Sequence, residues 1–452
     1  MKRKIYDSLL RWKNEEKGKV ALLVEGARRV GKSFIVEEFA KNEYKSYILV
    51  DFAHIGKAMK EVFDEYLNET DTFLIFLQNV AGVQLYERES LIIFDEVQKY
   101  PMARQAIKHL VADGRYDYIE TGSLVSINES INENTEDILL PSEERPLQMY
   151  PMDFEEFLWA LGDEMTMPFV KTCFENRCQL GPMHRKAMTL FRQYLIVGGM
   201  PQAVKEFVET GIFRKVDTVK RDILALYRRS IDKHVNGYTE KVKAVWDQIP
   251  GELQKHEKKF RLASLGEGAR YRSYESSFLW LKDARFVNIC NGVTEPQVGM
   301  RLKRDDRTFK CYMGDTGLLI SHAFDEKTIQ GEELYQKLLL GKLEINEGML
   351  MENIVAQMFV ASGHSLYFYS NYSTVSEDRM EVDFLVEKPT LTNAHNICPV
   401  EVKSGKYSSF SSLSKFRDKF KKQLHVPYVI YTQDYKEENG YVFLPIYMTP
   451  LL

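Results

Sequence analysis

A glycine-rich segment near the N-terminus carries residue types suited to binding phosphate. Residues 26–33 read Gly-Ala-Arg-Arg-Val-Gly-Lys-Ser, the spacing G-x-x-x-x-G-K-S of a phosphate-binding loop. Glycine permits backbone angles that turn successive N–H groups toward one anion, and a helix that follows adds partial positive charge. The segment lies between an apolar strand pattern at 20–24 and a helical pattern at 33–40. The sequence therefore predicts that this chain binds a nucleoside triphosphate.

The residue types in this loop also predict individual roles. Lys32 is expected to contact the β- and γ-phosphates of ATP, and Ser33 is expected to ligate Mg²⁺. The predicted ATP-binding residues of the loop are Gly26, Val30, Gly31, Lys32, Ser33 and Phe34. A chance match in a glycine-rich turn is the alternative, but strand, loop and helix follow in the required order.

Two carboxylates follow a second apolar strand pattern. Residues 91–94 are Leu-Ile-Ile-Phe, and Asp95 and Glu96 come directly after them. After a phosphate-binding loop, this is the form of a Walker B element, in which Asp95 holds Mg²⁺ and Glu96 polarises the attacking water. The alternative is that both residues simply cap the next helix.

Further patterns indicate a parallel sheet around these motifs. Residues 47–51 and 116–123 read as strands, and helical patterns occupy 56–66 and 70–82. Ligands of such sheets lie at the carboxyl ends of strands, so Thr121 and Ser123 are expected to face the γ-phosphate. A plain turn at Gly122 is the alternative.

The motifs together resemble the archaeal-type AAA ATPases, a family also abundant in bacteria. The resemblance rests on the loop at 26–33, on Asp-Glu-Val-Gln at 95–98, on Thr-Gly-Ser at 121–123, and on the stretches at 149–157 and 194–201. It implies an ATPase whose copies can assemble into oligomers, with an arginine acting on a neighbouring subunit. Arg145, Arg221 and Arg228 are candidates for that arginine, and no motif selects one of them.

A second set of residues near the C-terminus could also do chemistry. Asp383 lies in an apolar strand pattern, Glu401 and Lys403 lie in the next one, and Glu352 lies upstream in a helical pattern. The arrangement resembles the restriction-endonuclease-like nucleases. Residues two apart in a strand share a face, so Glu401 and Lys403 point the same way and can face Asp383.

The resemblance implies a metal-dependent site. Asp383 and Glu401 are expected to bind Mg²⁺ or Mn²⁺, Lys403 to activate water and steady the phosphate, and Glu352 to add or orient a ligand. Asp383, Glu401 and Lys403 are thus candidate catalytic residues. Two alternatives stay open: an ordinary ion pair at a sheet edge, and a nuclease fold that binds without cutting.

Between these two regions, the chain is helical and then locally basic. Residues 251–310 contain thirteen Lys and Arg against eight Asp and Glu, although the whole chain has a net charge of −4. Helix, turn, helix and strand patterns at 241–300 fit a winged helix surrounded by Lys258, Lys259, Arg261, Arg270 and Arg272. Such a unit commonly docks on DNA phosphates. It can equally serve only to join two domains.

The predicted fold is therefore α/β, with four parts. They are a parallel-sheet P-loop AAA-type core (1–148), a helical lid (149–240), a winged-helix-like segment (241–305) and a restriction-endonuclease-like α/β domain (306–452). The five cysteines are scattered, so free thiols are expected. No apolar run is long enough to span a membrane and no secretory signal is evident, so a cytoplasmic location is expected.

The favoured hypothesis is an ATP-hydrolysing protein that couples its nucleotide state to a DNA-binding, nuclease-like C-terminal domain. The alternative is a nucleotide-dependent switch or scaffold that recognises a protein partner and whose C-terminal domain is catalytically silent. A small-molecule kinase is disfavoured because an Asp-Glu pair at a strand end suits water activation.

Overall fold

The computed structural model describes the whole chain except residues 123–141, 236, 256, 325–330, 341–346, 374, 376–377, 389–394 and 405–409. The described chain divides into two compact units, Met1–Tyr150 and Pro151–Leu452. Each unit has its own sheet.

The N-terminal unit is built on a five-stranded parallel sheet. Its strands are β1 (Ala21–Gly26), β2 (Ser46–Asp51), β3 (Ser90–Asp95), β4 (Asp117–Gly122) and β5 (Glu144–Met149), in the spatial order β2-β3-β4-β1-β5. Neighbouring strands all pair in parallel. Every residue of β1, β3 and β4 is buried, as expected for strands that helices cover on both faces. The predicted parallel α/β core is confirmed.

Helices connect these strands and cover the sheet. They are α1 (Ile5–Glu16), α2 (Lys32–Glu43), α3 (Lys57–Tyr66), α4 (Thr70–Ala81) and α5 (Pro101–Asp113). One apolar core includes Phe39 on α2, and the other includes Phe63 on α3 and Phe94 on β3. Because the chain returns from each helix to a parallel strand, the carboxyl ends of the strands meet at one edge, where the predicted site residues lie.

The first half of the C-terminal unit is helical. Its helices are α6 (Phe154–Ala160), α7 (Thr166–Glu175), α8 (Pro182–Val197), α9 (Pro201–Thr210), α10 (Phe213–His234), α11 (Thr239–Gln254) and α12 (Tyr271–Asp283). The Gly-Gly pair at 198–199 separates α8 from α9, as its sequence indicates. A Cβ on Gly199 would lie 2.2 Å from the carbonyl oxygen of Met152, so only glycine allows this close approach.

The second half of this unit forms an eight-stranded mixed sheet. Its strands are β6 (Val287–Val293), β7 (Arg304–Met313), β8 (Tyr367–Asn371), β9 (Met380–Glu387), β10 (Ile397–Val402), β11 (Tyr428–Tyr431), β12 (Lys436–Glu438) and β13 (Tyr441–Pro445). The spatial order is β12-β13-β11-β10-β9-β8-β6-β7. The hairpin β6–β7 thus belongs to this sheet, and the boundary predicted between residues 305 and 306 falls inside β7.

Four further α-helices lie in the described part of the C-terminal unit: α13 (Thr316–Ala323), α14 (Gly331–Leu339), α15 (Glu347–Ala361) and α16 (Ser411–Lys419). Asp315 caps α13, because its side chain accepts a hydrogen bond from the backbone N–H of Leu318. All five cysteines carry free thiols. Within the described ranges, no helix is both long and apolar enough to cross a membrane.

Candidate functional site

The phosphate-binding loop joins β1 directly to α2. Gly31 precedes the first helical residue and has φ 97°, which lies in the left-handed region that favours glycine. Gly26 ends β1 where β5 comes close, since a Cβ there would lie 2.3 Å from the carbonyl oxygen of Met149. Val30 is fully buried, and the Arg3 guanidinium donates to its carbonyl oxygen at 3.1 Å. The loop is therefore fixed by contacts on both sides.

The N-terminus of α2 offers hydrogen-bond donors to an anion. The first N–H groups of a helix have no intrahelical partner, and no described side chain caps this helix. Those groups belong to Lys32, Ser33 and Phe34, which are three of the residues predicted to bind ATP. The Phe34 side chain itself is exposed, so only the backbone of this residue is available for the predicted role.

Lys32 folds back over the loop. Its Nζ donates to the carbonyl oxygens of Gly26 at 3.1 Å and Ala27 at 3.2 Å. Burial lowers the pKa of Lys32, and the carboxylates of Glu96 and Asp95 oppose this shift. The ammonium group is thus held at the mouth of the loop, where an incoming phosphate can replace the two carbonyl oxygens as its acceptor.

Ser33, Asp95 and Thr121 form one hydrogen-bonded group. The Ser33 hydroxyl donates to Asp95 Oδ1 at 2.7 Å, and the Thr121 hydroxyl donates to the same oxygen. The three residues come from α2, β3 and β4, so the sheet order places them side by side. A hydroxyl and a carboxylate at this distance are the hard oxygen ligands that Mg²⁺ prefers, and the site fits that ion. Ser123 lies outside the described residues.

Glu96 is held by two contacts beside this group. Its backbone N–H donates to Thr121 Oγ1 at 3.3 Å, and its Oε2 accepts a hydrogen bond from Gln98 Nε2 at 2.5 Å. The Glu96 backbone has φ 54°, a left-handed conformation that is costly for a residue with a Cβ and is concentrated at functional sites. Sequence reasoning gave no role to Gln98, because a glutamine two residues after an acid carries no specific signal.

The four residues predicted at the C-terminal site lie in the second unit. Glu352 is on α15, Asp383 is on β9, and Glu401 is on β10 with Lys403 just beyond that strand's end. Asp383 Oδ2 accepts a hydrogen bond from the backbone N–H of Val402 at 2.9 Å, and Lys403 Nζ lies 2.7 Å from Glu401 Oε1. Burial, then the charge of Asp383, raises the pKa of Glu401 to about 8. These residues therefore lie together.

Two lysines that the sequence did not assign to this site occupy its centre. Lys310 Nζ lies 3.0 Å from Glu352 Oε1 and 3.4 Å from Asp383 Oδ1, and Lys258 Nζ lies 2.5 Å from Glu352 Oε2. Across the described part of the chain, no group of three or more His, Cys, Asp or Glu is placed to hold a metal ion. Lysine ammonium groups thus contact Glu352 and Asp383, two of the three carboxylates to which the sequence assigned a metal role, and that role stays a prediction.

Most of the basic residues predicted to face DNA have other contacts. Lys258 pairs with Glu352, Arg261 lies 3.0 Å from Glu257, and Lys259 lies over the ring of Tyr372. The two others, Arg270 and Arg272, are exposed at the beginning of α12. The candidates for an arginine acting on a neighbouring subunit also have acidic partners: Arg145 with Glu16 at 2.6 Å, Arg221 with Asp217 at 2.7 Å and Arg228 with Asp247 at 2.8 Å.

Three family models match separate parts of the chain. Residues 18–158 match a family described as AAA domain. Residues 188–328 and 347–449 match two domains of unknown function, DUF8612 and DUF4143. A comparison with curated proteins gave no match. The C-terminal match has no assigned function, so the restriction-endonuclease-like assignment stays a prediction.

Solved structures of three proteins resemble parts of the fold at low sequence identity. The Walker-type ATPase PABY2304 of Pyrococcus abyssi is 14% identical with a TM-score of 0.42, over 72% of this chain and 96% of its own. Drosophila ORC bound to DNA is 13% identical with a TM-score of 0.26, over 70% and 92%. A DNA replication initiation factor is 12% identical with a TM-score of 0.23, over 63% and 80%. Likenesses at these scores do not bear on function.

The family match and the site geometry agree on the N-terminal unit. The AAA match spans the loop at 26–33, the Asp95–Glu96 pair and Thr121. A five-stranded parallel sheet carries all of them at the carboxyl ends of its strands. Residues 18–158 thus match a P-loop ATPase domain of the AAA type, and most of that match lies in the N-terminal unit.

Proposed function

We propose that this protein binds ATP with Mg²⁺ and hydrolyses it, using the residues at the carboxyl edge of the N-terminal sheet. The observation that carries the proposal is the contact of Ser33 with Asp95, which joins the phosphate-binding loop to the Walker B strand. Thr121 donates to the same carboxylate, so residues from three elements converge on one point. This convergence is what γ-phosphate chemistry requires of such a domain.

Each residue has a step in the proposed reaction. The backbone N–H groups at the start of α2 and the ammonium of Lys32 bind the phosphates and offset their charge. Ser33 and Asp95 would hold Mg²⁺, which neutralises charge between the β- and γ-phosphates when bound. Glu96 accepts a proton from the attacking water, and Thr121 fixes the carboxylate of Asp95 and the backbone of Glu96.

Loss of the Lys32 ammonium tests the binding half of this proposal. Lys32→Ala should weaken ATP binding at least about tenfold, because a buried charge-assisted contact is worth roughly 1.5–3 kcal/mol. Lys41→Ala is the matched control, since Lys41 is on the same helix but pairs with Glu37 at the surface. Equilibrium binding of a fluorescent ATP analogue measures both. Equal affinities for wild type and Lys32→Ala would contradict the proposal.

The wider proposal is that nucleotide state controls a DNA-binding C-terminal unit. Its support is the exposed pair Arg270 and Arg272 at the start of α12, within the basic stretch. Replacing both with glutamate should weaken duplex DNA binding and reduce its salt dependence. Arg185→Glu, at another exposed arginine of the same unit, is the control. If both variants bind DNA as wild type does, this part of the proposal is wrong.

The second candidate is a nucleotide-dependent switch that recognises a protein partner, with a C-terminal unit that does not cut. The pairing of Lys258 with Glu352, and of Lys310 with Glu352 and Asp383, favours it. A Glu96→Gln protein that binds ATP without turnover separates the two candidates in cells. If cells that carry only this variant function as wild-type cells do, the result would favour the switch. If they lose function, it would favour a role for ATP turnover.

A further inference from the structure

Lys310 is a fully buried lysine surrounded by carboxylates. It lies on β7, and its side chain has no exposed surface. Its Nζ lies 2.9 Å from Glu381 Oε1, 3.0 Å from Glu352 Oε1 and 3.4 Å from Asp383 Oδ1. An ammonium group has three donors and no acceptor, so three carboxylates satisfy it completely. Burial alone would lower the pKa of Lys310, but the carboxylates outweigh burial and raise it.

The oxygen atoms that a divalent cation would need are already engaged. Glu352 Oε1 also accepts from the Tyr312 hydroxyl, and Glu352 Oε2 accepts from Lys258. Asp383 Oδ2 accepts the backbone N–H of Val402. Among the described groups of this cluster, Glu401 Oε2 is a buried oxygen with no hydrogen-bond partner. Mg²⁺ in proteins is usually held by one or two carboxylates together with waters, so an ion here would have to displace the ammonium or N–H donors of Glu352 or Asp383 to gain a second carboxylate.

Charge points the same way as the contacts. The cluster contains four carboxylates, Glu352, Glu381, Asp383 and Glu401, and three ammonium groups, Lys258, Lys310 and Lys403. Three positive charges therefore already balance most of the negative charge in a buried setting. A divalent ion entering this cluster would approach Lys310 at close range, and like charges in a low-dielectric interior repel strongly.

We propose that Lys310 is a built-in cation that takes the place of a divalent metal ion among these carboxylates. The C-terminal unit then binds no divalent metal at this cluster and does not cleave nucleic acid by a metal-dependent route. Its role there is to join β7, α15 and β9 through one ammonium group. The inference concerns the C-terminal unit and stands independently of ATP hydrolysis by the N-terminal domain.

Mn²⁺ binding to the full-length protein without nucleotide tests this inference, with electron paramagnetic resonance as the readout. The comparison is between wild type and Glu401→Gln or Asp383→Asn, which remove one carboxylate each. Any Mn²⁺ held at the N-terminal site by Ser33 and Asp95 is common to all three proteins. The proposal predicts the same Mn²⁺ stoichiometry and affinity in all three. A site present in wild type and lost in either variant would overturn it.

Removing the lysine charge gives the complementary test. Lys310→Met keeps an unbranched side chain of similar length and frees oxygens of Glu352, Glu381 and Asp383, so it should create one additional Mn²⁺ site that wild type lacks. Adding Asp383→Asn to this variant should abolish the new site. A folded Lys310→Met protein that gains no Mn²⁺ would contradict the proposal that Lys310 takes the place of a divalent metal ion. If the variant does not fold, the comparison of wild type with Glu401→Gln and Asp383→Asn decides alone.

Discussion

At the scale of single residues, the contacts around Glu96 decide how the proposed base works. A carboxylate that accepts a proton in the transition state must be held within hydrogen-bond reach of the water. Here the backbone of Glu96 is in the left-handed region, and Gln98 and Thr121 bond to its side chain and its N–H. Hydrogen bonds thus hold both the backbone N–H and the carboxylate of Glu96, as expected where a side chain must be pre-positioned.

Gln98 should accordingly matter for turnover rather than for binding. Gln98→Ala removes the hydrogen bond to Glu96 Oε2, so the carboxylate samples more rotamers, and we expect kcat to fall by about tenfold. The affinity for ATP should stay unchanged, because the Gln98 side chain donates to Glu96, the proposed base, and Glu96 is not one of the predicted ATP-binding residues of the loop. Steady-state hydrolysis and equilibrium binding together measure the two effects. An unchanged kcat, or a parallel loss of affinity, would rule out this positioning role.

A second residue-scale prediction concerns the buried acid Glu120. Burial, reinforced by the negative charge of the nearby Glu144, raises its pKa well above the usual value, so the folded state keeps a proton that the unfolded chain releases. The free energy of unfolding should therefore fall as pH rises above 4.5. Glu120→Gln should remove this slope and stabilise the protein at pH 7 by about 1 kcal/mol or more.

Urea denaturation between pH 5 and 8 checks the prediction for Glu120. The control is Glu61→Gln, at an exposed residue of the same unit, which should leave the slope as in wild type. The prediction is wrong if the stability of the wild-type protein rises with pH across this window and Glu120→Gln shows the same rise. Glu120 would then not be the group that sets the pH dependence.

At the scale of elements, much of the fold follows from local sequence signals. The strands at 21–26, 46–51, 90–95 and 117–122 match apolar runs bounded by polar residues, and α3 and α4 match helical periodicity. These features depend on residues within a few positions of each other, which a single sequence displays.

The content of the C-terminal cluster could not be predicted in the same way. Lys258 and Lys310 are 94 and 42 residues from Glu352, and they reach it because β7 and its neighbours pair in a particular order across the sheet. Sheet order and register are set by long-range packing, which leaves no mark in local periodicity. For the same reason, the sequence placed a domain boundary inside β7.

Two glycines test how the elements pack. Gly26→Ala places a Cβ 2.3 Å from the carbonyl oxygen of Met149, so β1 and β5 must separate, and we expect a loss of about 2 kcal/mol or more. Gly251→Ala is the matched control, because Gly251 is exposed within α11 and a Cβ there would lie 3.9 Å from Gln248 Oε1, an ordinary contact distance. This control should stabilise the helix by about 0.5–1 kcal/mol. Thermal unfolding should show opposite shifts, and equal shifts would refute the packing argument.

At the scale of the whole molecule, the chain combines one domain of recognisable chemistry with a larger unit of unassigned function. The N-terminal unit carries the AAA match and the site at the edge of its sheet. The C-terminal unit carries a buried ionic cluster in which lysines engage the acids. The proposed division of labour is therefore ATP turnover in the first unit and recognition, without metal-dependent cutting, in the second.

ATP should stabilise the protein in proportion to its occupancy of the first unit. A ligand that binds only the folded state adds RT ln(1 + [L]/Kd), which is about 2.7 kcal/mol at a hundredfold excess over Kd. Thermal unfolding of wild type with Mg²⁺ and ATP should therefore shift upward, whereas Lys32→Ala should shift little. Equal upward shifts in both proteins would mean that ATP acts elsewhere.

Single-turnover ATP hydrolysis by wild type and Glu96→Gln tests the central claim most directly. Each protein is kept in excess over ATP and well above its Kd, with Mg²⁺ present, so that all of the ATP is bound and a difference in affinity cannot enter the rate. The account predicts equal ATP affinity and a hydrolysis rate at least about 100-fold lower in Glu96→Gln, because a general base contributes 10²–10⁴-fold. A wild-type protein that binds ATP without hydrolysing it, or a Glu96→Gln protein that hydrolyses ATP at the wild-type rate, would contradict it.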